Sequence, residues 1–586
     1  MRQWMVAAKK ADFYAIAEKF HVDPVVARII RNREVIGEKN IRIYLGGNLS
    51  DLSDPHQMKD MDRLVEILAQ KIRKQVRIRI IGDYDVDGVT SSHLFLMALR
   101  RVGAKVDVVI PHRIQDGYGL SLHLLQQAKE DGVDTILTCD NGIAAIDEIA
   151  WAKAQKMTVL VTDHHAVPFE EHEGRRTEKK SLADAVVNPH QQDCGYPYKE
   201  LCGAGVAWNV IRVLYENYDM DKREAEDLLD FVAMATVCDV MSLTGENRIL
   251  VKEGLKRIRH TKNIGLQALM QACNVQPENI SAYHFGYVLG PCVNATGRLD
   301  TARHALRLFE TGQETEAEEI ARDLVDLNQE RKELTLQGVE MAKKLCEEGG
   351  YENDPVLVLF LPDVHESIAG LIAGRIREMY NRPVFVLTRG EEGVKGSGRS
   401  TENYSMYENM CGCAELFTKF GGHPMAAGLF LPEENVEKFR RKINENCPLT
   451  VEEVCPDIHI DMAMPVGYAS TELVHQFALL EPFGKDNPSP LFADRNLSIS
   501  RMWLIGKNRN VLRMSVLSEY GQPVPVIFFG DVETLFAYFT EKFGQEEVEN
   551  ALHGRKNRIL FSMVYTAKID FYQGNENLQL EMKYYR

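Results

Sequence analysis

The sequence predicts a multidomain α/β protein: a parallel-sheet domain, one long bridging helix, a second α/β domain and a small C-terminal β-barrel. Three observations carry that expectation. The 586 residues exceed what a single hydrophobic core supports. From Val76, short apolar runs alternate with helical ones, the pattern of a parallel sheet with crossover helices. After about residue 455 strand-like runs take over, separated by the turn signals DNPSP and SEYGQPVP.

In chain order, residues 1–75 read as a polar helical segment, with DPVVARIIRNR and DPHQMKDMDRLVEILAQKIRK as amphipathic stretches. Residues 76–312 form the first α/β domain. VRIRIIG is a strand, SSHLFLMALRRVG a helix, and AKVDVVIP, DTILTCD, MTVLVTD and ADAVVNP repeat the strand theme before the chain turns helical at LCGAGVAWNVIRVLYENY. Residues 313–349 are charged, rich in helix formers and free of Pro, which predicts a linker helix. PVLVLFL restarts the alternation for a domain over 350–450, and the barrel follows over 455–586.

Composition narrows the class. Apolar and charged fractions of 45% and 26% are those of an ordinary globular protein. No stretch reads as a membrane span and the N-terminus has no apolar leader core, so the expected location is cytoplasmic, with no membrane partner. The eleven cysteines are scattered without a zinc-type spacing, as expected of reduced thiols. A net charge of −16 argues against a general DNA-coating protein. It leaves room for an acidic metal site beside a local basic groove.

The acidic residues are the informative ones. Asp83, Asp85 and Asp87 lie in DYDVDG, between a strand and a helix. At the C-terminal edge of a parallel sheet this is where ligands bind, and three alternate carboxylates repel unless a cation neutralises them. A solvated turn or a Ca²⁺ loop are the plainer readings, but the spacing is not that of an EF-hand. Asp140 in DNG and Asp163-His164-His165 end later strands. Singly, each is an ordinary strand-to-helix turn; together they converge on one crevice with mixed carboxylate and imidazole donors, a set suited to Mn²⁺ or Mg²⁺. Asp239 ends the apolar run FVAMATVCDVM and needs a partner, for which a metal serves. Two divalent ions roughly 3.5–4 Å apart activate a water and clamp the departing oxygen in phosphodiester hydrolysis.

DYDVDG, DNG, DHH, the VCDVM region and PCVNATGRLD together resemble the DHH phosphoesterase superfamily, and within it the RecJ family of single-strand-specific exonucleases. HESIAGLIAGRIREMYNRPVFVL, GVKGSGRS and FGGHPMAAG resemble the DHHA1 domain, and LLEPFGKDNPSPLF the start of that family's OB-fold. The resemblance thus implies a DHH domain with a parallel sheet, a bridging helix, a DHHA1 domain and an OB-like barrel. It implies two divalent cations held by Asp83, Asp85, Asp87, Asp140, His164 and Asp239, with His165 at the scissile phosphate or attacking water and Arg298 on phosphate charge. Ser397, Arg399 and His423 would hold the DNA backbone. It further implies 5′→3′ degradation of single-stranded DNA to 5′-mononucleotides in recombination and repair, with a single-strand-binding protein and a helicase as candidate partners.

On the barrel, Arg501, Trp503, Lys507, Arg509 and Arg513 interleave with apolar residues. A solvated basic face with Trp503 in the core is the bland reading; the resemblance favours DNA binding through Trp503, Lys507 and Arg509. Two positions depart from the family pattern. Ile81 stands where many relatives carry a His, which puts the coordination in question, and HESIAG lacks the usual Pro-Gly after His365, which reads as structural. His93, His112, His123 and His304 also read as structural. Two rivals remain: a DHH–DHHA1 phosphodiesterase for short oligoribonucleotides or cyclic dinucleotides, which usually lacks the barrel, and a non-catalytic DHH-type scaffold, against which the intact acidic clusters argue.

Overall fold

A computed structural model describes residues 3–586 apart from 114, 115, 118, 173, 174, 391, 392, 507, 508 and 573. The chain forms two compact units, one of residues 48–456 and one of residues 3–47 together with 457–586.

In the larger unit, β1 (Arg77–Ile81), β2 (Lys105–Val109), β3 (Thr135–Cys139), β4 (Thr158–Thr162) and β5 (Ala185–Val187) make one parallel sheet in the order β2-β1-β3-β4-β5. Both faces are covered, which is why these strands read as continuous apolar runs. Ile78, Ile80, Leu137 and Leu160 pack into one core cluster, and Ile81, Ile136, Val159 and Val161 into another. The strand order reverses at β1 and β3, so a crevice opens beyond their carboxyl ends. The helices that matter below are α1 (Val86–Arg101), α2 (Gly203–Asn217), α3 (Leu229–Cys238), α4 (Gly290–Leu299), the 35-residue α5 (Glu314–Glu348) and α6 (Ala369–Tyr380).

The second domain of this unit is a mixed sheet, β6 (Leu357–Phe360), β7 (Val384–Gly390), β8 (Gly393–Arg399), β9 (Lys419–His423) and β10 (Ala426–Leu431), ordered β9-β10-β8-β7-β6 with only β6 and β7 parallel. α6 packs on α5 at Gly338, where a Cβ would stand 2.3 Å from Ile372 Cδ1. Any larger residue there would force the Ile372 side chain to move.

The smaller unit is the expected barrel with additions. Strand Phe492–Ile505 pairs with Val511–Leu517 on one side and Leu560–Tyr572 on the other, and Pro523–Phe528 with Asn575–Tyr585 completes the ring. Helices Val532–Phe543 and Gln545–Leu552, absent from the strand-rich reading, are inserted before the last two strands. The helical stretch 1–75 is divided between the two units. Trp4–Val6 runs parallel to Ile458–Ile460, and Arg33 grips Asp461 with two hydrogen bonds of 2.7 and 3.1 Å, so residues 3–47 belong with the barrel. Among the described residues no helix is long and apolar enough to cross a membrane.

One buried carboxyl makes stability pH-dependent. Asp230 accepts hydrogen bonds from Phe231 N (2.8 Å) and Thr261 Oγ1 (2.6 Å), yet burial pushes it up to about 6 from the ordinary 3.8. A raised carboxyl favours the protonated fold, so its contribution is complete below about pH 4 and is lost as pH rises through about 6. Asp230→Asn is therefore expected to be more stable than the parent at pH 8, by up to about 3 kcal/mol. The gap should shrink at pH 4. Thermal midpoints at the two pH values check this, and an identical gap at both would refute it.

Candidate metal centre and nucleic-acid cleft

The crevice at the β1/β3 switch point gathers the predicted acids. Asp83 and Asp85 follow β1, Asp87 lies in the first turn of α1, Asp140 follows β3 and His164 follows β4. Asp239 caps the C-terminus of α3. His164 Nε2 lies 3.1 Å from Asp140 Oδ1, 3.6 Å from Asp239 Oδ2 and 3.7 Å from Asp87 Oδ2. Three donor groups, each spanning no more than 4.8 Å, could hold a cation: Asp83, Asp85 and Asp140; Asp87, His164 and Asp239; and Asp140, His164 and His165.

Backbone chemistry fixes several of these side chains. Asp85 N-caps α1, accepting from Gly88 N at 3.1 Å. Asp87 accepts from Gly203 N (2.6 Å) and Ala204 N (2.7 Å) at the N-terminus of α2, where the helix dipole favours a negative charge. Gly203 is required there, because a Cβ would stand 2.6 Å from that of Asp140.

The charge balance calls for a cation. Burial first, and the neighbouring carboxylates next, push Asp83 and Asp140 well above the usual carboxylate range and raise Asp85. Each pair about 4 Å apart costs about 4 kcal/mol at an effective dielectric near 20. Asp83 Oδ1 is buried without a hydrogen bond. Burial lowers His164, keeping it as the neutral imidazole that ligates metals. Hard oxygens with a neutral nitrogen fit Mn²⁺ or Mg²⁺.

His165 is set differently. Asp163 accepts from its Nδ1 at 2.7 Å, and also from the amides of Ile143, His164 and His165. Burial alone would lower His165, but the hydrogen bond and charge of Asp163 raise it to about 9. In the metal-free protein this favours the protonated ring beside the carboxylate cluster.

Next to the acids lies a basic cavity of about 800 Å³, lined from the first domain by Tyr84, Arg113 and Arg298 and from the second by Lys395, Ser397, Arg399 and Lys419. Burial, followed by Arg113, Arg331 and Arg399, lowers Arg298 to about 10. Burial, Arg377 and Arg113 lower Arg399. Guanidiniums crowded until they depress one another form an anion site. Arg298 Nη1 also donates to Ser367 O at 2.6 Å, tying the two domains together.

The predicted residues therefore separate by their place in the fold. Asp83, Asp85, Asp87, Asp140, His164, His165 and Asp239 meet in the crevice, and Arg298, Ser397 and Arg399 in the cavity. His423 stands exposed at the end of β9 and is not among the residues lining the cavity. On the barrel, Trp503 is half-buried opposite Arg513, with the Arg501 guanidinium 5.7 Å from its ring centre. The alternate residues Met502, Leu512 and Met514 fill the core, so Trp503 belongs to the outer, basic face. Arg509 is exposed, and Lys507 lies outside the described residues. Ile81 is fully buried in an apolar cluster with Ile136 and Val161, on the side of the sheet opposite Ile80, so it donates nothing to the carboxylates. His365 accepts from Ser367 N at 3.3 Å, and the buried His93 packs 4.6 Å from Phe231.

Sequence reasoning missed Gly203 and Ala204, the orienting role of Asp163, and Arg113, Lys395 and Lys419 in the cavity. Lys395 was readable: with Ser397 and Arg399 it keeps the period of two that places side chains on one face of a strand.

Three family models match in order: the DHH family N-terminal domain at residues 77–236, the DHHA1 domain at 353–447 and the RecJ OB domain at 460–584. The single-stranded-DNA-specific exonuclease RecJ of Haemophilus influenzae is 32% identical over 96% of this chain and 96% of its own length. The chain belongs to the RecJ family. The Bacillus subtilis RecJ exonuclease is 33% identical over 87% of this chain, which spans 63% of that longer relative. The RecJ fold is shared too: the crystal structure of Thermus thermophilus RecJ with Mn²⁺ superposes with a TM-score of 0.79 at 25% identity, covering 100% of this chain and 79% of that one.

Proposed function

We propose that this protein is a metal-dependent exonuclease that removes nucleotides 5′→3′ from single-stranded DNA, releasing 5′-mononucleotides during recombination and repair. The observation that carries this reading is the juxtaposition of a carboxylate–imidazole cluster with a guanidinium-lined cavity. One part suits a cation and the other an anion, as a phosphodiester at a strand end requires.

Two donor groups, Asp83 with Asp85 and Asp140, and Asp87 with His164 and Asp239, support two cations, Mn²⁺ or Mg²⁺. Asp140, 3.1 Å from His164, is placed to serve both. Bound there, such ions supply an activated water and charge compensation for the leaving oxygen. The chain's own residues do the rest. Asp163 orients His165, whose positive ring neutralises the scissile phosphate. Arg298 and Arg399 take phosphate oxygens in planar forks, with Ser397 beside them. On the barrel, Arg501, Trp503, Arg509 and Arg513 offer stacking and charge to the trailing strand, with Lys507 and His423 as further backbone contacts. A single-strand-binding protein and a helicase are the partners this chemistry would serve, in the cytoplasm.

The match of the barrel to the RecJ OB model disfavours the short-oligonucleotide rival, and the complete donor set disfavours the scaffold. Digestion of 5′- and 3′-labelled single strands and duplexes, with Mn²⁺ or with a chelator, is the test. Mononucleotides should leave the 5′ end of single strands only when metal is present. Equal attack on duplexes, or release from the 3′ end, would count against the reading.

A further inference from the structure

Cys273 and Cys292 lie apart from the site described above, with their sulfurs 3.8 Å apart. Cys273 is half-exposed at the C-terminus of helix Ile264–Ala272, and Cys292 is buried in α4. Both helices pack on α5, from which Asn328 Nδ2 donates to Cys292 Sγ at 3.4 Å. Cys292 Sγ also lies 3.3 Å from Val288 O. The geometry is that of a dithiol, one cysteine partly exposed and the other buried. The hydrogen bond with Cys292 holds Cys273 below the usual thiol value; burial opposes this and Lys332 assists it. The more accessible sulfur is thus also the better nucleophile.

We propose that Cys273 and Cys292 form a reversible oxidation site, closed to a disulfide by a peroxide and opened by a thiol, which couples through α4 to the cleft. The Cys273 thiolate attacks one peroxide oxygen. The S–O bond forms, the O–O bond breaks and hydroxide leaves, giving a sulfenic acid. Cys292 Sγ then attacks the Cys273 sulfur, the S–S bond forms and the S–O bond breaks, and the hydroxyl departs as water with the Cys292 proton. Two thiols are oxidised and one peroxide is reduced to two waters.

Closure shortens the 3.8 Å separation to the about 2.05 Å of a disulfide, which draws α4 and the Ile264–Ala272 helix together. α4 also carries Asn294, whose Oδ1 accepts from Val86 N at 3.1 Å at the start of α1, and Arg298 of the basic cavity. Moving α4 displaces both. The effect on cleavage rests on the function proposed above, whereas the cross-link itself does not.

The test treats the full-length protein with increments of hydrogen peroxide, then blocks free thiols, maps peptides by mass and assays strand cleavage. A cross-linked peptide pair containing Cys273 and Cys292, short of two hydrogens, is expected, with at least a tenfold fall in cleavage that dithiothreitol reverses. Cys273→Ser should keep full activity when reduced and lose none on oxidation. Separately alkylated peptides at a dose that already oxidises the exposed Cys411 overturn the proposal, as does a cross-linked protein with unchanged cleavage. If the reduced protein cleaves nothing, the functional reading fails while the peptide map still decides the cross-link.

Discussion

Asp140→Asn is expected to abolish strand cleavage while raising the thermal midpoint of the metal-free protein. The two effects share one cause. Asp140 is buried among Asp87, Asp85, Asp239 and Asp83, so in the absence of a cation its charge works against the fold. Asparagine keeps the shape and removes that charge. The same carboxylate is common to two of the three donor groups, so its loss takes a ligand from both of those. Metal assistance is worth several kcal/mol at the transition state, so a fall of about a thousand-fold or more in turnover follows. Mn²⁺ at a hundred times its dissociation constant should stabilise the parent by about 2.7 kcal/mol, and this increment should be smaller in the variant at the same Mn²⁺ concentration. His164→Ala should lose turnover to the same extent. Parent-like rates in either variant at saturating Mn²⁺ would remove these residues from the mechanism.

Arg399→Ala is expected to weaken single-strand binding about ten- to a hundred-fold at low salt, the worth of a charge-assisted hydrogen bond. Each phosphate neutralised on a single strand contributes about 0.7 to the slope of log affinity against log salt, so the slope should become shallower by about that amount. Arg399 is the cleaner probe of the cavity. Among the described residues its Nη1 donates to Ser397 Oγ (3.3 Å) and Gly398 O (2.7 Å) on its own strand, whereas Arg298 also bridges two domains through Ser367. Arg298→Lys would keep the charge but lose the fork. Fluorescence anisotropy titrations across a salt series measure both quantities, and an unchanged slope would rule out a backbone contact by Arg399.

Much of this was legible in the sequence because each feature is local. An apolar run ending in a carboxylate specifies both a buried parallel strand and where its acid emerges, and three such runs in DYDVDG, DNG and DHH place their acids at one sheet edge. The Pro-free charged stretch likewise specified the long helix α5. Tertiary structure alone decided what depends on contacts distant along the chain. It brought the α2 amides to Asp87 across more than a hundred residues, and joined Arg113 to Arg399 in one cavity. It turned Ile81 into an apolar core and packed residues 3–47 against the barrel rather than with the helix Met61–Arg73 that follows them in sequence. Periodicity reports which way a side chain points within its own element. It carries no information about which other element that side chain will meet.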